Sequence, residues 1–153
     1  MATLTKTTYD TDFVEWTAQT AELLREGRFG ELDLKHVVEE IEDLGKGDFK
    51  AVRSPLRRML TLLVKRKIQP GRAGTSWLIS MANARREILD DFRYSPSMRQ
   101  RLSNEVGVVY REAIEDALLE TGLAGQSTSL GIPGACPFTL AELLGDRPDL
   151  LQL

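Results

Sequence analysis

Within one stretch of eight residues stand His36, Glu39, Glu40, Glu42 and Asp43, the side-chain types of a metal or acid–base site. A neutral imidazole and two carboxylates on adjacent helical turns make half of a metal site. Closely set carboxylates can also split into a proton donor and a proton acceptor. Helix geometry disperses this set, because each residue turns the chain by about 100°. Leu34, Val37, Val38, Ile41 and Leu44 form one apolar stripe, expected to face the core. His36, Glu39 and Asp43 fall opposite it, and Glu40 and Glu42 lie one on each border. The tightest group is His36, Glu40 and Asp43, at i, i+4 and i+7. Di-metal helical bundles combine inward carboxylates with Glu-x-x-His pairs. This chain has no Glu-x-x-His, and His36 is its only histidine. No metal and no cofactor are therefore expected.

The border carboxylates are expected to meet arginines instead, in a polar site of Glu40, Glu42, Arg53, Arg57 and Arg85. A basic surface of Arg57, Arg58, Lys65, Arg66, Lys67 and Arg72 supplies the alternative, a phosphate or nucleic-acid face. No aromatics are interleaved with these cations, and no helix-turn-helix or RNA-module signature accompanies them. Arg85 is expected to turn inward toward a carboxylate, and Arg72 lies close enough in sequence to Trp77 to stack on it. Cys136 is the only cysteine and has no nearby histidine, so it is expected to pack as a small apolar group beneath the last helix. No nucleophile elbow and no phosphate loop is present.

The elements that must position these residues are helical. Phe13, Trp16, Thr20, Leu23 and Leu24 give the first helix one face, with Asp10 and Asp12 at its start and Gly27 as its stop. Arg28–Gly30 is a short turn. The second helix carries the stripe Leu34–Leu44, and Gly45 and Gly47 predict a stop or a sharp turn. A third helix carries Phe49, Val52, Leu56, Met59, Leu60 and Leu63. Leu62 and Val64 lie off its main face, so it is expected to be central. Ser54-Pro55 reads either as the start of that helix or as a kink inside a longer one. After the break at Gln69-Pro70-Gly71, Thr75 is expected to cap a fourth helix with Trp77, Met81, Ala84, Ile88 and Phe92. Ser95-Pro96 opens a fifth, running to about Thr121 with Leu102, Val106, Val109, Ala113, Ile114, Ala117 and Leu118 inward, and Gly122 ends it. Residues 124–137 have loop composition. Thr139 and Glu142 match a capping box that starts a last short helix. No segment alternates with period two long enough to be a strand.

The expectation is an all-α, single-domain bundle of four to five main helices plus a short C-terminal helix. Residues 1–9 are expected to be a flexible N-terminus, 10–145 the helical domain and 146–153 a tail. A chain of 153 residues with 42% hydrophobic and 28% charged residues can bury a core of its own. No apolar run approaches the roughly 20 residues that span a bilayer, so no membrane role is expected. The net charge of −3 excludes an obvious polyanion binder. No signal peptide is visible, and a cytoplasmic bacterial protein is the reading.

An ordered set of short motifs runs through the chain. They are Glu15-Trp16-Thr17, the run Glu22 to Phe29, Leu32-Asp33, Glu39-Glu40-Ile41-Glu42 with Leu44-Gly45-Lys46, Gln69-Pro70, Ser76-Trp77, Ser95-Pro96-Ser97, Glu120-Thr121 and Cys136-Pro137. In this order they resemble the bacterial family called domain of unknown function twenty-nine, over about Tyr9 to Leu144. The resemblance implies a small, mainly helical fold and no assigned activity. Members often carry a histidine just before a Leu-Leu-Lys in the third helix, where this chain reads Leu62-Leu63-Val64-Lys65. With no complete catalytic set, a non-enzymatic role is expected: a regulatory or scaffolding protein with a protein partner, or a homo-oligomer. The alternatives are a nucleic-acid-associated or antitoxin-like regulator using the basic region, and a metal-dependent enzyme using the second-helix carboxylates.

Overall fold

The computed structural model describes residues 8–153. It is all-α, with four main helices and one short one: α1 (Phe13–Arg25), α2 (Leu34–Ile68), α3 (Thr75–Tyr94), α4 (Met98–Glu120) and α5 (Leu140–Leu143). Short 3-10 turns stand at Phe29–Glu31, Pro70–Arg72 and Pro148–Leu150. The chain forms two compact units, Met1–Lys46 and Gly47–Leu153. Of the segment 1–9, residues 1–7 lie outside the described residues, while Tyr9 is half-buried.

Two helices expected from the sequence are one. The predicted stop at Gly45 and Gly47 does not occur, and α2 runs through both. Neither glycine has a positive φ, and a β-carbon added to either would meet nothing within 4 Å. Glycine permits a left-handed stop but does not impose one. Pro55 lies inside the same helix and is buried, so Ser54-Pro55 does not open a new element.

Where glycine does end a helix, the backbone shows it. Gly27 has φ +70° and Gly122 has φ +73°. Beyond each, the chain makes the paired hydrogen bonds of a Schellman motif: Arg28 N–H donates to the Leu23 carbonyl at 2.9 Å, and Leu123 N–H to that of Leu118 at 2.8 Å. Asp12 caps α1 by accepting from the Glu15 amide at 3.0 Å. Thr139 and Glu142 form the predicted capping box of α5. Thr75 does not cap α3; it is the first helical residue, and Gly74 holds the cap position.

The core lies in the second unit. From α2 come Val52, Leu56, Met59, Leu60, Leu63 and Val64, spaced at three and four. They meet Met81, Ala84, Ile88 and Phe92 of α3, and Leu102, Val106, Val109, Tyr110, Ala113 and Ala117 of α4. Leu140 and Leu143 of α5 and Ile132 of the preceding loop complete the cluster. Tyr110 is fully buried, and its hydroxyl donates to the Pro133 carbonyl at 2.8 Å, which ties the loop to α4.

Candidate functional site

In the first unit, the residues that looked like a metal set are held by aromatic rings. Asp33 stands just before α2, and the His36 amide donates to its Oδ1 at 3.5 Å. The His36 ring meets Asp33 Oδ2 through Nδ1 at 2.5 Å. A carboxylate only accepts, so Nδ1 carries the proton. The Tyr9 ring stacks on the imidazole with centroids 4.1 Å apart and planes within 8°. Trp16 of α1, the buried residue of that helix, packs edge-on against Tyr9 at 5.1 Å and against His36 at 6.4 Å. Phe13 closes on Tyr9 at 5.5 Å.

The Tyr9 hydroxyl donates to Glu40 Oε1. This bond to a carboxylate, with added desolvation and the charges of Glu40, Glu39 and Asp43, pushes the Tyr9 phenol up to about 12. Glu40 therefore finds a neutral donor, not the arginine expected from the sequence. Asp43 lies on the far side and pairs with Lys46 at 3.2 Å in an exposed contact. Among the described residues, no group of three His, Cys, Asp or Glu side chains is placed to hold a metal ion.

The covered side of α2 in this unit is thus His36, Val37 and Glu40, which continue from Asp33 just ahead of the helix at i+3, i+4 and i+7. The apolar stripe lies beside it and is open. Leu34 is 64% exposed, Val38 46%, Ile41 63% and Leu44 71%. Every residue from Ile41 to Lys46 is exposed. The expectation that this stripe, with Ile41 at its centre, belongs to the core is therefore corrected. Tyr9 and Trp16 pack on the aromatic-compatible His36 and Glu40 side, and Val37 alone of the five apolar residues shares that cover.

In the second unit, the arginines meet α4. Arg53 forms a two-pronged pair with Glu112 at 2.9 and 2.7 Å. Arg57 forms another with Asp116 at 2.5 and 2.8 Å and also reaches Glu112 at 3.3 Å. Lys65 meets Glu120 at 2.8 Å. The cations recur at four-residue multiples along α2, and Glu112, Asp116 and Glu120 recur every four along α4. The ladder fits two helices running the same way. Arg53 and Arg57 hold the carboxyls of Glu112 and Asp116 below their usual range, chiefly by hydrogen bonding.

The other predicted residues divide similarly. Arg85 does not reach a carboxylate; its Nε donates to the Leu144 carbonyl at 2.8 Å. Glu42 is exposed and makes no ion pair among the described residues. Of the basic set, Arg58 pairs with Glu87 at 2.9 Å, and Arg66 donates to the carbonyls of Asp149 and Leu151 at 3.2 and 3.4 Å. Lys67 and Arg72 are exposed. Arg57, Arg58 and Lys65 thus spend their charge on carboxylates of their own unit. Trp77 receives Lys65, with Nζ 5.5 Å from the ring centroid, and not the stacked Arg72. Lys65, Gln69, Arg72, Trp77, Glu120 and Thr121 line an open cleft of about 490 Å³. Cys136 is half-buried, and its Sγ approaches the Phe138 carbonyl at 3.5 Å.

Sequence reasoning missed Tyr9, Asp33, Glu112 and Asp116. The i, i+4 run Glu112, Asp116, Glu120 was a usable signal for the ladder, sharing its four-residue step with Arg53 and Arg57. No comparable signal announced Tyr9, which stands ahead of the first helix.

Fold and site together define an all-α protein of two units, one closed around a core and one with an uncovered apolar stripe. The chain belongs to the family described as "Domain of unknown function DUF29", which matches residues 8–147. No curated protein and no solved structure matches it. Among the described residues, no helix is long and apolar enough to cross a membrane.

Proposed function

We propose that the protein works through contacts with other proteins, in a regulatory or scaffolding role, and that its first unit makes those contacts. One observation carries this reading: four large apolar side chains at helical spacing, Leu34, Val38, Ile41 and Leu44, are uncovered on one face of α2. Single exposed apolar residues are common on protein surfaces, but a contiguous stripe marks a surface that associates. The helix beneath it has two glycines in its middle, each unfavourable relative to alanine by about 0.8–1.0 kcal/mol. Most helices in proteins draw their stability from packing an amphipathic face, and here that packing is left to a partner.

The test places a photo-crosslinking amino acid at Ile41 in cells, with the same amino acid at exposed Arg111 of α4 as control. A discrete protein adduct at position 41, absent at 111 and abolished by Leu44→Asp, supports the reading. No adduct at 41, or the same adducts at both positions, overturns it.

A further inference from the structure

We infer that the occupant of the uncovered α2 stripe is a basic amphipathic helix of another protein; this rests on the reading that the stripe is a contact surface. The argument is one of charge and shape. Residues 1–46 contain eleven carboxylates against five lysines and arginines, a net charge of −6, while residues 47–153 contain twelve against fifteen, a net charge of +3. The whole chain's modest −3 conceals this division. The uncovered stripe therefore lies in the strongly acidic unit. Its own helix adds Glu39, Glu42 and Asp43, all exposed. Glu39 and Glu42 make no ion pair among the described residues, so their charge is open to a partner.

The stripe residues Leu34, Val38, Ile41 and Leu44 repeat at three and four. That spacing receives the apolar side of a second helix, whose anchors recur at the same intervals. A helix that seats leucines on the stripe brings its flanking residues over Glu39 and Glu42, and lysines or arginines there are attracted. A second copy is disfavoured on the same ground. A two-fold contact would place the same patch against itself, bringing one unit of −6 onto another. An anionic membrane surface is disfavoured by the same sign.

The experiment uses the full chain and three synthetic 18-residue peptides, with binding read by fluorescence anisotropy at low and high salt. The first peptide has leucines at helical spacing bordered by lysines, the second carries glutamates in place of those lysines, and the third has the first composition in scrambled order. The expected result is saturable binding of the first peptide, at least tenfold tighter than either other. This binding weakens at least tenfold in Ile41→Asp, weakens severalfold in Glu39→Gln/Glu42→Gln, and falls as salt rises. The control Glu115→Gln, in the second unit, leaves it unchanged.

Equal binding of the glutamate or scrambled peptide overturns the inference, as does a first peptide that binds Ile41→Asp as well as the parent chain. So does a dimer in sedimentation equilibrium that Ile41→Asp dissolves, or binding to phosphatidylcholine vesicles with none to the first peptide. An adduct at position 41 in cells together with no binding of the lysine peptide separates the two claims: the surface then stands and the basic helix falls.

Discussion

Replacing Gly45 and Gly47 by alanine should strengthen the middle of α2. Both glycines have helical backbone without positive φ, and neither added β-carbon meets an atom within 4 Å. The gain is then the intrinsic helix preference of alanine, about 0.8–1.0 kcal/mol at each site. For the pair this is about 1.6–2.0 kcal/mol, with no packing term to add or subtract. At about 1.4 kcal/mol per decade, local opening of the helix becomes about 15- to 30-fold rarer. Native-state amide exchange reads this directly, because protection of amides in an exposed helix follows local opening. The amides around positions 45–51 should exchange slower by that factor, with each single variant giving about four- to fivefold. Gly27→Ala is the matching control of opposite sign. At φ +70° an alanine is strained by about 1–2 kcal/mol, so the end of α1 should exchange faster. Unchanged or faster exchange in the middle of α2 of the double variant would refute the claim that the helix runs through the glycines.

Three further outcomes follow from the contacts. The Tyr9 phenol titrates near 12, above the ordinary 10.0, because its hydroxyl donates to the Glu40 carboxylate. The stabilisation this represents is complete below pH 10.0 and disappears as pH rises through about 12, and the tyrosinate absorbance lost in Tyr9→Phe should rise near the upper value, not the lower. Tyr110→Phe leaves the Pro133 carbonyl without its buried donor and should lower stability by about 1–2 kcal/mol in urea unfolding; an unchanged midpoint would show that the hydroxyl is dispensable. Glu112 and Asp116 have depressed carboxyls, so their contribution is full above the ordinary carboxylate range, declines below it, and is lost only as pH falls through their own lowered values. Glu112→Gln/Asp116→Asn should therefore lower stability by about 1–2 kcal/mol at pH 7, a partly exposed ladder being discounted for solvent, and by less at pH 2.5. An identical loss at both pH values would refute the ion-pair account.

The sequence by itself determined the helical class, because period-three-and-four patterning is a property of the chain alone. It determined the ends that carry their own chemistry: the Asp12 cap, the left-handed stops at Gly27 and Gly122, and the Thr139–Glu142 box. It also marked the core face of the later part of α2, from Val52 to Leu63, and the helical faces of α3 and α4 that meet it. Only the tertiary structure decided which face of a helix receives a neighbour. Leu34, Val38, Ile41 and Leu44 have core-like spacing, yet Tyr9 and Trp16 lie one position around the helix, on His36 and Glu40. Periodicity gives a stripe its direction but does not name what covers it. Likewise Arg53 and Arg57 lie 59 residues from their carboxylates, so composition shows that cations and anions balance without showing which pairs form. The glycines in α2 make the same point, since a residue that permits several backbone conformations takes the one its flanking turns propagate. The dense carboxylates of the second helix were legible as residues, and their division into one half-buried acceptor, Glu40, and an open acidic border came from packing alone.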